Sequence, residues 1–137
     1  MYDEVCVFVE NKPGKLSRVV EVLGNAGIDI LALNVSDDGQ FGVLKILTAE
    51  PSRTQQVLSM ANMTVAINKV ACIEIKDEPG GLVKLAKALE DTGLNVKDAY
   101  GCILERGRRA AFVVKGDDIE AIEKAARSVG LKPLESL

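Results

Sequence analysis

Apolar and polar residues alternate with period two in several short runs of the chain and recur at three- and four-residue spacings in longer ones. Val5, Val7 and Val9 share one face of a predicted first strand, and Ala71, Ile73 and Ile75 share the same face of a strand 66 residues later. Leu16, Val19, Val20 and Leu23 follow helical spacing, and at the same offset so do Leu82, Leu85, Ala86 and Leu89. Each set predicts an amphipathic helix that buries its apolar stripe. The offset also carries Asn11-Lys12-Pro13-Gly14-Lys15-Leu16 onto Asp77-Glu78-Pro79-Gly80-Gly81-Leu82, Cys6 onto Cys72, and Gly27-Ile28-Asp29-Ile30 onto Gly93-Leu94-Asn95-Val96. The chain reads as an internal duplication.

Both halves follow one plan. Pro13-Gly14 and Pro79-Gly80 turn the first strand into a helix, Pro suiting a helix opening and Gly permitting close backbone approach. Gly27 and Gly93 stand where a helix C-terminal glycine belongs. Second strands are predicted over Asp29–Ser36 and Asn95–Cys102, followed by hairpins at Asp37-Asp38-Gly39-Gln40 and Glu105–Arg109. Third strands are expected over Val43–Thr48 and Ala111–Lys115. Second helices follow over Ser52–Ala61, capped by Ser52, and over Asp118–Val129. Asn62 and Gly130 end them, and short strands, Thr64–Ala66 and Lys132–Leu134, close the halves. The order strand-helix-strand-strand-helix-strand, twice, gives the fold class. It is α+β, two tandem ferredoxin-like (βαββαβ) domains over residues 1–68 and 69–137, each a four-stranded antiparallel sheet with two helices on one face.

Composition narrows the function. With 137 residues, 47% apolar and 27% charged, the chain has the profile of a globular protein. Each half falls below the roughly 70–80 residues at which one core supplies more than a few kcal/mol, so the halves are expected to pack together in a fixed geometry. A bend is expected at the polar pair Asn68-Lys69, within the nearly continuous strand-like run from Thr64 to Lys76. The absence of histidine removes imidazole bases, His-activated nucleophiles and His-ligated zinc. Cys6, Cys72 and Cys102 form no Cys-x-x-Cys pair and read as structural thiols. No catalytic residues, metal ligands or cofactor are expected. A net charge of −3 with interspersed signs leaves no footprint for nucleic acid or an anionic membrane. The acidic start and the lack of an apolar run of about eighteen residues argue against a signal peptide and a membrane span, so a cytoplasmic location is expected.

The turns carry the candidate chemistry. A glycine before a helix leaves backbone N–H groups at the positive end of the helix dipole open to a carboxylate. Just past each helix, Asp29 and Asn95 stand as polar residues in apolar surroundings, suited to the other end of a zwitterion. The pattern Asn-x-Pro-Gly-x-Leu, an apolar helical stripe and Gly-Ile-Asp-Ile resembles the ACT domain, a small-molecule regulatory module of amino-acid biosynthetic enzymes. The resemblance covers both halves, as in small proteins made of two ACT domains.

It implies that an amino acid binds between paired domains, at the strand–helix loop of one and the second strand of the other. The implied ligand-binding residues are Asn11, Lys12, Pro13, Gly14, Lys15 and Leu16 with Asn95 and Val96, and Asp77, Glu78, Pro79, Gly80, Gly81 and Leu82 with Asp29 and Ile30. Asn11 and Asn95 match the two asparagines of serine-regulated members, so their site is expected to be the principal one. Asp77 with Asp29 would repel a ligand carboxylate. Val9 stands where serine-binding members carry histidine, which counts against serine.

Two rival classes fit poorly. RNA-recognition domains stack bases on strand aromatics, but only Phe8 and Phe112 lie on suitable strands, and Phe112 is expected to face the helices. An acylphosphatase-like enzyme needs an arginine in the phosphate loop, and Asn11–Lys15 contains none. The serious alternative is a regulatory subunit acting in trans on an amino-acid biosynthetic enzyme, similar to the small subunit of acetolactate synthase. A homodimer is expected.

Overall fold

The chain runs in the order β1 (Tyr2–Glu10), α1 (Lys15–Asn25), β2 (Ala32–Asp37), β3 (Phe41–Leu47), α2 (Pro51–Met60), β4 (Thr64–Lys76), α3 (Val83–Asp91), β5 (Val96–Glu105), β6 (Arg109–Gly116), α4 (Ile119–Ser128) and β7 (Lys132–Pro133). The structure, a computed structural model, describes residues 1–37, 39 and 41–137. Asp38 and Gln40 of the first predicted hairpin therefore lie outside the described residues. Two compact units emerge: a first unit, Asp3–Asn68, and a second, Lys69–Leu137, which Met1 and Tyr2 join.

In the first unit the strand order is β2-β3-β1-β4, with the Thr64–Asn68 stretch of β4 belonging to this unit. β1 lies antiparallel to β3, pairing Val5 with Ile46 and Glu10 with Phe41. β2 lies antiparallel to the other edge of β3, from Ala32 opposite Leu47 to Asp37 opposite Gly42. The even-spaced face of these strands and the inner rows of α1 and α2 form one core around Val5, Val7, Val19, Leu23, Leu44, Ile46 and Leu58. The second unit repeats this: β6 lies between β4 and β5, β7 pairs with β4, and Ala71, Ile73, Leu85, Leu89, Val114, Ile122 and Ala126 form its core. Phe112 packs against this core, as expected. Each fully buried aliphatic side chain contributes about 1.5–3 kcal/mol relative to exposure.

Several local expectations are corrected. The helix stripes are buried along only one row: Val19, Leu23, Leu85 and Leu89 are buried, whereas Leu16, Val20 and Leu82 are 44%, 37% and 38% exposed and Ala86 is also exposed. A helix on a sheet hides a narrow strip, and the i, i+4 row at its edge stays outside. Pro13 and Pro79 do not open the helices. Gly14, with φ +89°, is the residue before α1, and α3 begins only at Val83 after the turn Gly80-Gly81-Leu82.

β2 and β5 begin later than predicted. After α1, Gly27 takes φ +68° and the Ile28 N–H bonds the Leu23 carbonyl at 3.0 Å, a Schellman-type stop that buries Ile28. Pairing resumes only at Leu31, whose N–H reaches the Leu47 carbonyl. Asp29 and Ile30 are thus off the strand, and so is Asn95.

Ser52 is not the cap of α2. Glu50 holds that place, and Pro51 is the first helical residue, where a missing N–H costs nothing. Asp118 does cap α4, its carboxylate accepting the Ala121 N–H at 2.9 Å. β4 runs from Thr64 to Lys76 as one strand, well past the predicted Thr64–Ala66. Asn68 is accommodated because its amide donates to the Cys6 sulfur at 2.9 Å.

Candidate functional site

The strand–helix loop of each unit is tied to that unit's own hairpin by the residue two places before the glycine-bearing turn's Pro. Asn11 donates from Nδ2 to Asp37 Oδ2 at 2.8 Å, and the second Asp37 oxygen accepts the Gly39 N–H at 2.7 Å. At the equivalent place Asp77 Oδ2 accepts the Gly107 N–H at 2.6 Å, and the Asp77 N–H reaches the Arg108 carbonyl at 3.2 Å. One position thus latches each loop, as donor in the first unit and acceptor in the second. Asn11 makes this contact through its side-chain nitrogen, and its amide oxygen is an acceptor.

Beside the first loop lies a recess of about 500 Å³. The end of β1 supplies Phe8, Val9 and Glu10; the first turns of α1 supply Lys15, Arg18 and Val19; Phe41 comes from the start of β3; and the α2–β4 turn, Ala61–Thr64, completes the wall. The pairing of Glu10 with Phe41 sets Phe8, Glu10 and Phe41 on one face of the sheet. Both rings are substantially exposed, 42% for Phe8 and 51% for Phe41. Asn62, with φ +61°, ends α2 in the left-handed conformation that asparagine tolerates and so turns the chain back along the recess.

Its electrostatics are lopsided. Glu10 pairs with Lys12 at 2.8 Å. The Lys12 hydrogen bond, then the charges of Lys12 and Lys15, hold the Glu10 carboxyl below its ordinary range, and Glu10 in turn raises the Lys12 ammonium. The Arg18 guanidinium has no hydrogen bond or ion pair among the described residues.

In the second unit the matching depression is about 170 Å³, lined by Lys76, Glu78, Gly80, Gly81, Lys84 and Leu131. A Cβ on Gly81 would overlap the Lys76 carbonyl oxygen, so the loop there lies against the strand end and only glycine fits. Elsewhere in this unit Leu82 and Val96 line an apolar groove of about 380 Å³ with Leu85, Ala86, Leu89 and Phe112.

The structure therefore places the expected site residues as follows. Lys15 lines the large recess; Gly80, Gly81 and Glu78 line the small one; Leu82 and Val96 meet in the apolar groove. Asn11, Lys12, Pro13, Gly14 and Leu16 are exposed around the first loop, Asp77 is half-buried and Pro79 exposed in the second, Asp29 and Asn95 are exposed, and Ile30 packs against the first core. Sequence reasoning missed Glu10, Arg18, Phe41 and Asn62. The signal was present: carried through the repeat, Phe8 and Phe41 fall on Glu74 and Arg109, so an aromatic pair in one copy answers to a charged pair in the other. Among the described residues no cluster of His, Cys, Asp and Glu is arranged to hold a metal ion, and no helix is long and apolar enough to cross a membrane.

The family described as the ACT domain pair matches residues 2–134. The chain belongs to the ACT domain family. Its two ferredoxin-like units are ACT domains, arranged in tandem. No curated protein sequence matches this ACT pair. Among solved structures it is similar to a protein from Bacteroides thetaiotaomicron, with a TM-score of 0.87 and 24% identity over 97% of this chain and 91% of that one. It also shares its fold with the ligand-free regulatory subunit of aspartate kinase from Thermus thermophilus, with a TM-score of 0.66 and 14% identity over 93% and 92% of the two chains. The corresponding regulatory subunit from Thermus flavus matches with a TM-score of 0.60 and 14% identity over 93% and 91%.

Proposed function

We propose that this ACT pair is a non-catalytic regulatory protein that binds a small molecule, an amino acid, and passes its occupancy on to a partner. The observation that carries the reading is the recess beside Pro13-Gly14, lined by the cations Lys15 and Arg18 and by the carboxylate of Glu10. That arrangement offers complementary charge to both ends of an amino acid, in a cavity of ordinary ligand size. The fold shared with aspartate kinase regulatory subunits along nine-tenths of their length supports a regulatory role.

The principal ligand contacts fall on the loop Asn11–Leu16 of the first unit. The Asp77–Leu82 loop of the second unit is the weaker counterpart, because the Asp77 carboxylate disfavours an anionic ligand end. The protein acts in the cytoplasm as a homodimer. A second reading, a subunit serving a biosynthetic enzyme in trans, draws on the apolar groove between α3 and β5, which offers Leu82, Val96 and Phe112 to a protein surface.

A thermal-shift screen against the twenty amino acids tests the ligand class, since a ligand at about 100 times its Kd adds roughly 2.7 kcal/mol of stability. Silence from all twenty overturns it. Calorimetry then ranks the loops: Asn11→Ala is expected to weaken binding more than Asp77→Ala, and equal losses or the reverse order remove the asymmetry.

A further inference from the structure

Duplication built two matching recesses, and they differ threefold in size: about 500 Å³ in the first unit and about 170 Å³ in the second. Small-molecule sites usually enclose about 300–1,000 Å³, so only the first has room for a ligand. Particular replacements accompany the difference. Phe8 and Phe41 give way to Glu74 and Arg109, joined by two hydrogen bonds of 3.0 and 2.7 Å. Lys15 gives way to Gly81, where the loop closes against Lys76 and no side chain can stand.

The lining of the larger recess is mixed. Lys15 and Arg18 bring two cations to one lining carboxylate, Glu10, which is paired with Lys12. Both cations stand in the first turns of α1, where the helix dipole adds positive potential. Phe8, Val9, Phe41 and Met63 add apolar surface. Such a lining favours a carboxylate attached to a bulky apolar body over a small or acidic one.

We infer that the first-unit recess is the one amino-acid site of each chain, that it takes an amino acid with a bulky apolar side chain, its carboxylate toward Lys15 and Arg18, and that the Glu74–Arg109 pair closes the counterpart in the second unit. The inference rests on the amino-acid reading above and adds the site's place, number and selectivity.

Calorimetry on the full chain with L-phenylalanine, L-leucine, glycine and L-aspartate tests it. The expected result is one ligand per chain, with phenylalanine or leucine bound at least about tenfold more tightly than glycine or aspartate. Arg18→Gln and Phe41→Ser should each weaken binding about tenfold or more, while Arg109→Gln and Lys84→Gln change it by less than about twofold. Circular dichroism checks that the variants fold; Arg18 is exposed on α1, so Arg18→Gln carries the test by itself if Phe41→Ser does not fold. Two equal sites per chain, a preference for aspartate, or binding indifferent to Arg18→Gln overturns the inference and leaves the amino-acid reading standing. Absence of binding by every amino acid in the thermal screen overturns both.

Discussion

Arg109 grips Glu74 through two N–H groups of one guanidinium edge, Nε to Oε1 at 3.0 Å and Nη2 to Oε2 at 2.7 Å. The hydrogen bond from Arg109 is the main cause that holds the Glu74 carboxyl below its usual range, against a smaller opposing effect of burial. A carboxyl depressed in the folded state adds stability above its unfolded pKa and loses it as pH falls through the folded one. Glu74→Gln is therefore expected to lower the urea midpoint at neutral pH and to match the parent protein once the pH lies below the folded-state value. Because Arg109 is about half exposed, the effect is that of a solvent-screened pair, smaller than a core truncation, and it shrinks further in high salt. Paired urea titrations at neutral and strongly acidic pH check this.

Gly81 and Gly14 are both in strand–helix loops, yet alanine should harm them for different reasons. At Gly81 a Cβ collides with the Lys76 carbonyl, so the loop must move, at an expected cost of about 1–3 kcal/mol or more. At Gly14 nothing lies within 4 Å of the added atom, and only the left-handed backbone, φ +89°, opposes it, at about 1–2 kcal/mol. Thermal melts of the two variants separate the cases, and relaxation of the loop should show as a change in the volume of the small recess only for Gly81→Ala.

The two rows of the α1 stripe predict opposite mutational behaviour. Leu23 is fully buried, so Leu23→Ala should cost about 2–5 kcal/mol at any protein concentration. Leu16 and Val20 lie on the exposed row, and Leu16→Ser with Val20→Ser should leave the fold intact while lowering the apparent mass in dilute gel filtration, if that row is covered by a second copy. An unchanged elution volume across a wide concentration range excludes the outer row of α1 as the contact of the proposed homodimer.

Thiol reactivity should follow burial. Cys72 is fully buried and its thiol is pushed up to about 12, chiefly by desolvation. Cys102 is also raised by burial but is only half-buried, and Cys6 is enclosed with Asn68 against its sulfur. Ellman's reagent at pH 8 is expected to titrate Cys102 slowly in the native protein and to reach Cys6 and Cys72 only after denaturation. Rapid modification of all three in the native state contradicts this.

The duplication and the order of elements were legible because they depend on local signals. Alternation at Val5, Val7 and Val9, helical spacing at Val19 and Leu23, and the glycines at 27 and 93 each carry their own geometry. What escaped depended on tertiary fit. Leu16 and Val20 look as apolar as Val19 and Leu23, and only the packing of α1 on its sheet decides which row is covered. Pro79-Gly80 reads like Pro13-Gly14, but Gly81 in place of Lys15 lets the loop tighten and delays α3. The large recess was hidden for a similar reason: its walls come from β1, α1, β3 and the α2–β4 turn, and no contiguous motif joins Phe8, Arg18, Phe41 and Asn62.

The latches at residues 11 and 77 have lost their interchangeability. In the first copy the loop must offer a hydrogen to the carboxylate of Asp37; in the second it must offer a lone pair to the N–H of Gly107. An aspartate transplanted to position 11 would set like charges face to face, whereas an asparagine at 77 still presents a carbonyl oxygen. Drift is therefore open in one copy and blocked in the other: position 77 can change alone, while position 11 can change its charge only in step with position 37.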